Sequence, residues 1–333
     1  MTLSKTYTWL RDTVWYPATQ EPDESKSIGE LPPNNSQAQS LHTTEPESFL
    51  TPQQPSRMDR EDHNVQSQLD EIEPANTPVE RTHPSPFSQD PYVGLPLIGN
   101  GLNGFVYYMG EGRVVKKAKQ YELSHLRDPE DLEYMNEINQ QTLENEVKVF
   151  ERLGCYEGII PCFRTSQYGI ELALAQGDLE SYIETSPERE NALKIRWISS
   201  LIETLAYVHS HKVFVNDIAL RNILVLDEQL KLADFGQSML LPLDIDITSA
   251  NENDLNVQIE ILHLGWILYS VASWHVHKYC FFGPENPDLC WPALDSFPNV
   301  DGVLCGKIIE KCWRGEYASM VGLKNDARQF LIN

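Results

Sequence analysis

The chain of 333 residues carries 26 basic and 49 acidic side chains, a formal charge of −23, and an acidic field of that size repels nucleic acid and anionic lipid. Six cysteines without a C-x-x-C pair, no apolar run of signal-peptide type at the N-terminus, and a longest apolar stretch (Ile261 to Trp274) too short for a bilayer exclude secretion and a transmembrane segment. The expectation is a soluble protein of the cytoplasm or nucleus, with neither nucleic acid nor membrane as partner.

Residues 1–91 are rich in Pro, Ser, Gln, Asn and Glu and have no sustained apolar period. Such a segment cannot bury enough apolar surface to offset its chain entropy, so an acidic, disordered tail is expected. The tail carries −9 and the remainder −14 of the net charge. Trp9 and Trp15 could pack on the folded part or bind a partner of the tail, and Thr51-Pro52, Thr77-Pro78 and Ser85-Pro86 fit proline-directed phosphorylation.

From Tyr92 the pattern changes. Val93–Ile98, Phe105–Met109 and Arg113–Lys117 read as strands, the last two joined by Gly110-Glu111-Gly112 as an antiparallel hairpin. Between the first two strands lies Gly99-Asn100-Gly101-Leu102-Asn103-Gly104-Phe105-Val106. A dinucleotide-binding loop must open a helix, whereas here a strand follows, so the three glycines form a flap whose backbone can close over phosphates. Val106 would then lie against an adenine.

The return strand ends Val114-Val115-Lys116-Lys117. Side chains alternate along a strand, so one lysine points into the cleft. Matching the run to V-A-I-K selects Lys117, with Val115 on the same face; Lys116 is the alternative.

Residues 131–153 have helical spacing (Leu143, Val147, Phe150, Leu153) and stop at Gly154; Glu146 fits the inward face better than Glu144. Ile159–Phe163 and Ile170–Ala175 read as further strands. After Asp178 helices dominate: Ala192–His211 places Trp197, Leu201, Leu205 and Val208 on one stripe. A strand-rich half followed by a helical half outlines an α+β fold of two lobes, about 92–175 and about 178–333. The pairs His209-x-His211 and His275-x-His277 with Cys280 lack the ligand spacing of a structural zinc site and read as core or surface histidines.

Val215-Asn216-Asp217-Ile218-Ala219-Leu220-Arg221-Asn222 is followed by Leu230-Lys231-Leu232-Ala233-Asp234-Phe235-Gly236. Asp217 and Asn222 keep the spacing of H-R-D-L-x-x-x-N, and Asp-Phe-Gly is intact twelve residues later. With the glycine flap, these residues resemble the eukaryotic protein kinase superfamily over residues 92–333; a looser similarity of the whole chain is to short kinase-like proteins of filamentous fungi.

The resemblance implies a protein-kinase-like fold that binds ATP and Mg2+ and phosphorylates a protein substrate. It implies Asp217 as catalytic base, Asn222 and Asp234 as metal ligands, and Lys117 paired with Glu146 on the phosphates. Arg221 sits where tyrosine kinases place an arginine near the γ-phosphate, whereas Ser/Thr kinases usually carry a lysine at the position of Ala219. Gly99, Asn100, Gly101, Gly104, Val106, Val115 and one of Lys116 and Lys117 would line the nucleotide site. The hinge that meets adenine should fall within residues 173–177, at Leu174 and Ala175. A scaffold that binds nucleotide without turnover and a small-molecule kinase on the same fold are the competing readings.

The sequence also departs from the family. Val215-Asn216 replaces His-Arg, so an arginine that often receives an activating phosphate is missing. Only 23 residues separate Gly236 from Glu260, which takes the aspartate's place in D-x-W-x-x-G. No A-P-E occurs, and Ala318 stands where its arginine partner would be. The expectation is a streamlined lower lobe whose activity needs no phosphate on Ser238, Thr248 or Ser249.

Overall fold

The computed structural model describes residues 90–122 and 129–332, and the readings placed on the tail lie outside the described residues. The smaller lobe is an antiparallel sheet of β1 (Leu97–Asn100), β2 (Gly104–Gly110), β3 (Arg113–Ala118), β4 (Cys162–Ser166) and β5 (Gly169–Ala173), in the order β1-β2-β3-β5-β4. Pairing starts at Leu97 rather than Val93: residues 91–94 form a turn, with Gly94 at φ 81° between two prolines that cannot donate to a ladder. For the same reason β4 begins after Pro161, and Ile159 makes only an isolated bridge to Leu232.

Glu111 and Gly112 turn the β2–β3 hairpin with φ of 50° and 70°, the two-residue geometry that suits the strand twist. Tyr108 pairs with Val114 but Gly110 pairs with Arg113, so Met109 is an extra residue on β2, a β-bulge. Beyond it Val106 stands opposite Lys116 and Phe105 opposite Lys117.

Helix α1 (Pro129–Leu153) begins on a proline, which suits a first turn that lacks N–H acceptors, and ends at Gly154 with φ 61°. Leu132, Leu143, Glu146, Val149, Phe150 and Leu153 are buried at helical spacing. A single charged residue on that stripe marks the face that meets the cleft.

The larger lobe is built on α3 (Asn191–Ser210) and α4 (Val257–Ser273). The α3 stripe Trp197, Leu201, Leu205 and Val208 is buried as its period requires, and α4 is apolar nearly all round and buried accordingly. Around them lie α2 (Leu179–Thr185), capped by the Asp178 side chain, α5 (Gly306–Trp313) and α6 (Met320–Ile332). Among the described residues no helix is long and apolar enough to cross a membrane. Two small sheets carry the chemistry-bearing loops: β6 (Gly177–Asp178) with β8 (Ile223–Leu226) and β9 (Gln229–Leu232), and β7 (Val213–Phe214) with β10 (Met239–Leu240). The α+β arrangement in two lobes is the one the sequence pattern implies.

The stretch after α4 leaves it on Trp274, in the left-handed region at φ 51°, and packs back across α4 and α5. Trp291 Nε1 donates to the Trp313 carbonyl at 2.9 Å, and Phe297 stacks on Trp313 at 5.1 Å. Gly265 lets α4 and α5 approach: a Cβ there would come within 2.9 Å of Cys312 and Trp313.

His263 is buried on α4, and its Nε2 accepts the Phe281 N–H at 3.0 Å. Burial pushes this imidazole down to about 4, so it folds neutral. Between pH 6.5 and 4 the unfolded chain binds a proton that the folded chain refuses, so the contribution is complete above pH 6.5 and lost as pH falls to about 4. The expected loss is about 3 kcal/mol. Urea denaturation of wild type and His263→Gln at pH 7 and 4 checks this; equal pH dependence in the two proteins would contradict it.

Candidate active site

β3 and α1 bring the first pair together. Lys116 Nζ lies 2.7 Å from Glu146 Oε2 and 2.8 Å from Asp234 Oδ1. The lysine that meets the carboxylates is therefore Lys116, and the choice of Lys117 is corrected. Lys117 points to the other face of the sheet, where it pairs with Asp90 and lies over the Tyr107 ring. Val115 shares that outer face, beside Glu171, its β5 neighbour, which accepts from the Tyr92 hydroxyl at 2.8 Å. The valine on the face of Lys116 is Val114, so the assignment of Val115 to a nucleotide site fails with that of Lys117.

The glycine loop is the strand-loop-strand flap: Gly101 N–H donates to the Gly104 carbonyl at 2.9 Å, closing a tight turn. A Cβ on Gly104 would stand 3.0 Å from the Lys117 carbonyl and 3.4 Å from Lys116 Cε, so glycine lets the loop pass directly over the lysine. Gly99 and Asn100 pair with Val106 and Phe105, which sets Val106 on the face of Lys116. In the segment expected to meet adenine, Leu174 N–H donates to the Gly112 carbonyl at 2.8 Å, and Leu174 and Ala175 are half-buried.

Asp217, Arg221 and Asn222 lie on the loop between β7 and β8. Arg221 donates to both Asp217 oxygens at 2.7 Å, and Asn222 Nδ2 donates to Asp217 Oδ2 at 2.9 Å and to its carbonyl at 3.0 Å. Ala233 N–H donates to the Asn222 carbonyl at 2.9 Å and ties this loop to the one holding Asp234.

Asp234 adopts φ 59°, a region that a short polar side chain tolerates. Desolvation in the cleft pushes its carboxyl up, but the charge and hydrogen bond of Lys116 outweigh this and hold it below its ordinary value. Desolvation and the charge of Asp234 together push Glu146 up more than Lys116 and the Phe235 N–H pull it down. Lys116 is pushed down by desolvation and up, more strongly, by Asp234 and Glu146, so it remains an ammonium. Glu146 Oε1 also accepts the Phe235 N–H at 3.3 Å, and Phe235 packs edge-on against Phe150, ring centres 5.4 Å apart.

Beneath Asp217, Asn216 is held at φ 66° by Glu260 of α4, whose Oε1 accepts its N–H at 2.7 Å. Glu260 Oε2 lies 2.6 Å from His209 Nε2, with both residues buried. Sequence reasoning gave Asp90 no role and read His209 only as a core or surface histidine; its spacing four residues after Leu205, on the α3 stripe, was the signal for burial.

The protein kinase domain model matches residues 92–252, which include every residue named above from Tyr92 to Asn222 and Asp234. A receptor-like protein kinase of Arabidopsis thaliana (leaf rust 10 disease-resistance locus receptor-like protein kinase-like 1.1) is 32% identical over 45% of this chain and 24% of its own length. Testis-specific serine/threonine-protein kinase 4 of Homo sapiens is 30% identical over 44% of this chain and 44% of its own. A putative serine/threonine-protein kinase, L673, of Acanthamoeba polyphaga mimivirus is 29% identical over 30% of this chain and 18% of its own. The chain thus spans less than half the length of these curated relatives. Fold, loop geometry and sequence similarity agree, and the chain carries, over residues 92–252, a domain that belongs to the eukaryotic protein kinase superfamily.

Proposed function

We propose that this chain is an ATP-dependent protein kinase that transfers the γ-phosphoryl group of magnesium-ATP to a protein hydroxyl. The observation that carries the reading is Lys116 held between Glu146 and Asp234, in a fold that also sets Asn222 on Asp217. The donor set suits magnesium: Asp234 and Asn222 offer hard oxygens, and Asn222 commits its amide nitrogen, not its oxygen, to Asp217. The glycine loop over Lys116 provides backbone N–H groups and room for phosphates.

Phosphoryl transfer needs positioning and charge neutralisation more than covalent help, and bound magnesium would supply part of that neutralisation. Asp234 and Asn222 would hold the metal. Lys116, oriented by Glu146, would hold the α- and β-phosphates. Asp217, its carboxylate fixed by Arg221 and Asn222, would orient the acceptor hydroxyl and take its proton, a contribution of order 10²–10⁴ in rate. Leu174 and Ala175, with Val106, would frame the adenine.

The test is phosphotransfer from γ-labelled ATP with magnesium to a mixed protein acceptor, with Asp217→Ala and Asp234→Ala as controls and nucleotide-induced thermal shift in parallel. The expected result is transfer by wild type alone. Equal signal from all three proteins would rule the assignment out. A thermal shift without transfer to any acceptor would mark a nucleotide-binding scaffold, and transfer only to metabolites a small-molecule kinase.

A further inference from the structure

The chain directly after Asp-Phe-Gly is held by the protein's own side chains, two of them from α1. Asn145 Nδ2 donates to the Gly236 carbonyl at 3.0 Å and to the Ser238 carbonyl at 2.8 Å. Asn216 Nδ2 donates to the Gln237 carbonyl at 3.2 Å, and the buried Ser238 hydroxyl donates to the Val215 carbonyl at 3.1 Å. Arg152, two turns along α1, donates to the Leu241 carbonyl at 2.6 Å. Next to Asn145 on the same helix, Glu146 accepts from Phe235 and grips Lys116.

Asn145 stands out in this set, because a single amide bridges two carbonyls on either side of Gln237. Those carbonyls belong to the turn that carries Asp234, and Gly236 itself packs on the neighbouring Thr142, where a Cβ would come within 2.5 Å. A shift of α1 therefore cannot move Glu146 without also pulling on the turn that sets Asp234. Ser238 has no exposed hydroxyl to modify, while Thr248 and Ser249 lie ten residues further along, bonded locally to Asp246.

We propose that Asn145 is a positioning residue that locks α1 to the Asp234-Phe235-Gly236 turn and keeps Lys116, Glu146 and Asp234 assembled in the unphosphorylated chain. The proposal rests on the kinase reading for its consequence in catalysis, but the lock itself is a property of the fold. A carboxylate of the same shape offers two carbonyls no donor, so Asn145→Asp turns the bridge into a repulsion. Asn145→Ala simply removes it.

The experiment is amide hydrogen exchange on the full chain, treated with phosphatase, for wild type, Asn145→Ala, Asn145→Asp and Asn145→Gln, with magnesium-ATP affinity by thermal shift. Both Ala and Asp variants are expected to exchange about tenfold faster over residues 235–241, while β8, β9 and α4 keep wild-type protection. Magnesium-ATP should bind about tenfold more weakly to Asn145→Ala, and Asn145→Gln, which retains the donors, should recover part of both losses. Should Asn145→Asp fail to fold, the Ala and Gln pair decides.

Exchange over 235–241 within twofold of wild type in Asn145→Ala would overturn the proposal. So would loss of protection there in wild type on phosphatase treatment, which would assign the lock to a phosphate. The exchange result stands whether or not the wild type transfers phosphate, so failure of the lock and failure of the kinase reading are told apart.

Discussion

Lys116→Met is expected to lower phosphotransfer by on the order of 10²–10³-fold, the usual cost of removing one preorganised donor from a site where charge develops. Lys117→Met is expected to leave the rate within about twofold and to lower stability by up to about 1 kcal/mol, the range of a partly exposed ion pair. The contrast follows from the two partners. Lys116 is enclosed with Glu146 and Asp234, whereas Lys117 is on the opposite face with Asp90. Removing Lys116 also leaves Glu146 facing Asp234 with no cation between them, so magnesium-ATP affinity should fall with the rate. Initial rates and nucleotide titrations on both variants check this. Full activity in Lys116→Met with loss in Lys117→Met would reverse the assignment and take the proposed geometry of the cleft with it.

Two adjacent lysines on one strand pose a register question; matching the run to V-A-I-K chose Lys117, and the hairpin shows why Lys116 has the inward place. With a two-residue turn at Glu111-Gly112 and a regular ladder, counting back from Gly110 opposite Arg113 sets Val106 opposite Lys117. The bulge at Met109 removes one step from that count, and Val106 meets Lys116 instead. A slip of one residue exchanges the faces of every side chain that follows, so Val115 changed sides with Lys117. No residue type announces the bulge. Asp90, which draws Lys117 outward, lies just before the stretch that the sequence pattern marked as folded.

Other parts of the site were legible because they are local. The Asp217 to Asn222 spacing, the Asp-Phe-Gly turn and the glycine flap are each set within a few residues, so the sequence carries them whole. Glu146 was readable from the helical period. What the sequence could not carry are contacts that join distant segments: Asn145 to Gly236 and Ser238, and Glu260 to His209 and Asn216. Each depends on how α1 and α4 settle on the rest of the chain, and an asparagine or glutamate on a helix is by default a solvated one. The departure at Asn216 acquires a local reason in the structure. At φ 66° an asparagine is among the residues best tolerated, and its amide reaches Gln237.

Glu260→Ala is expected to destabilise the fold by roughly 2–5 kcal/mol, at about 1–3 kcal/mol for each donor left without its acceptor. With native stabilities of about 5–15 kcal/mol, this is a large part of the total. Two groups lose their acceptor at once: the half-buried Asn216 N–H and the buried His209 Nε2, whose other ring nitrogen has no partner among the described residues. Glu260→Gln is the informative companion. Its amide oxygen can still accept from Asn216, and its nitrogen can donate to His209 in the other tautomer, so the cost should drop to about 1 kcal/mol. Urea denaturation midpoints separate the two variants. Because Glu260 fixes the residue before Asp217, Glu260→Gln should also slow transfer more than its small stability loss accounts for. A wild-type midpoint in Glu260→Ala would mean that the carboxylate under the Asp217 loop anchors nothing, and that Asp217 owes its position to Arg221 and Asn222 alone.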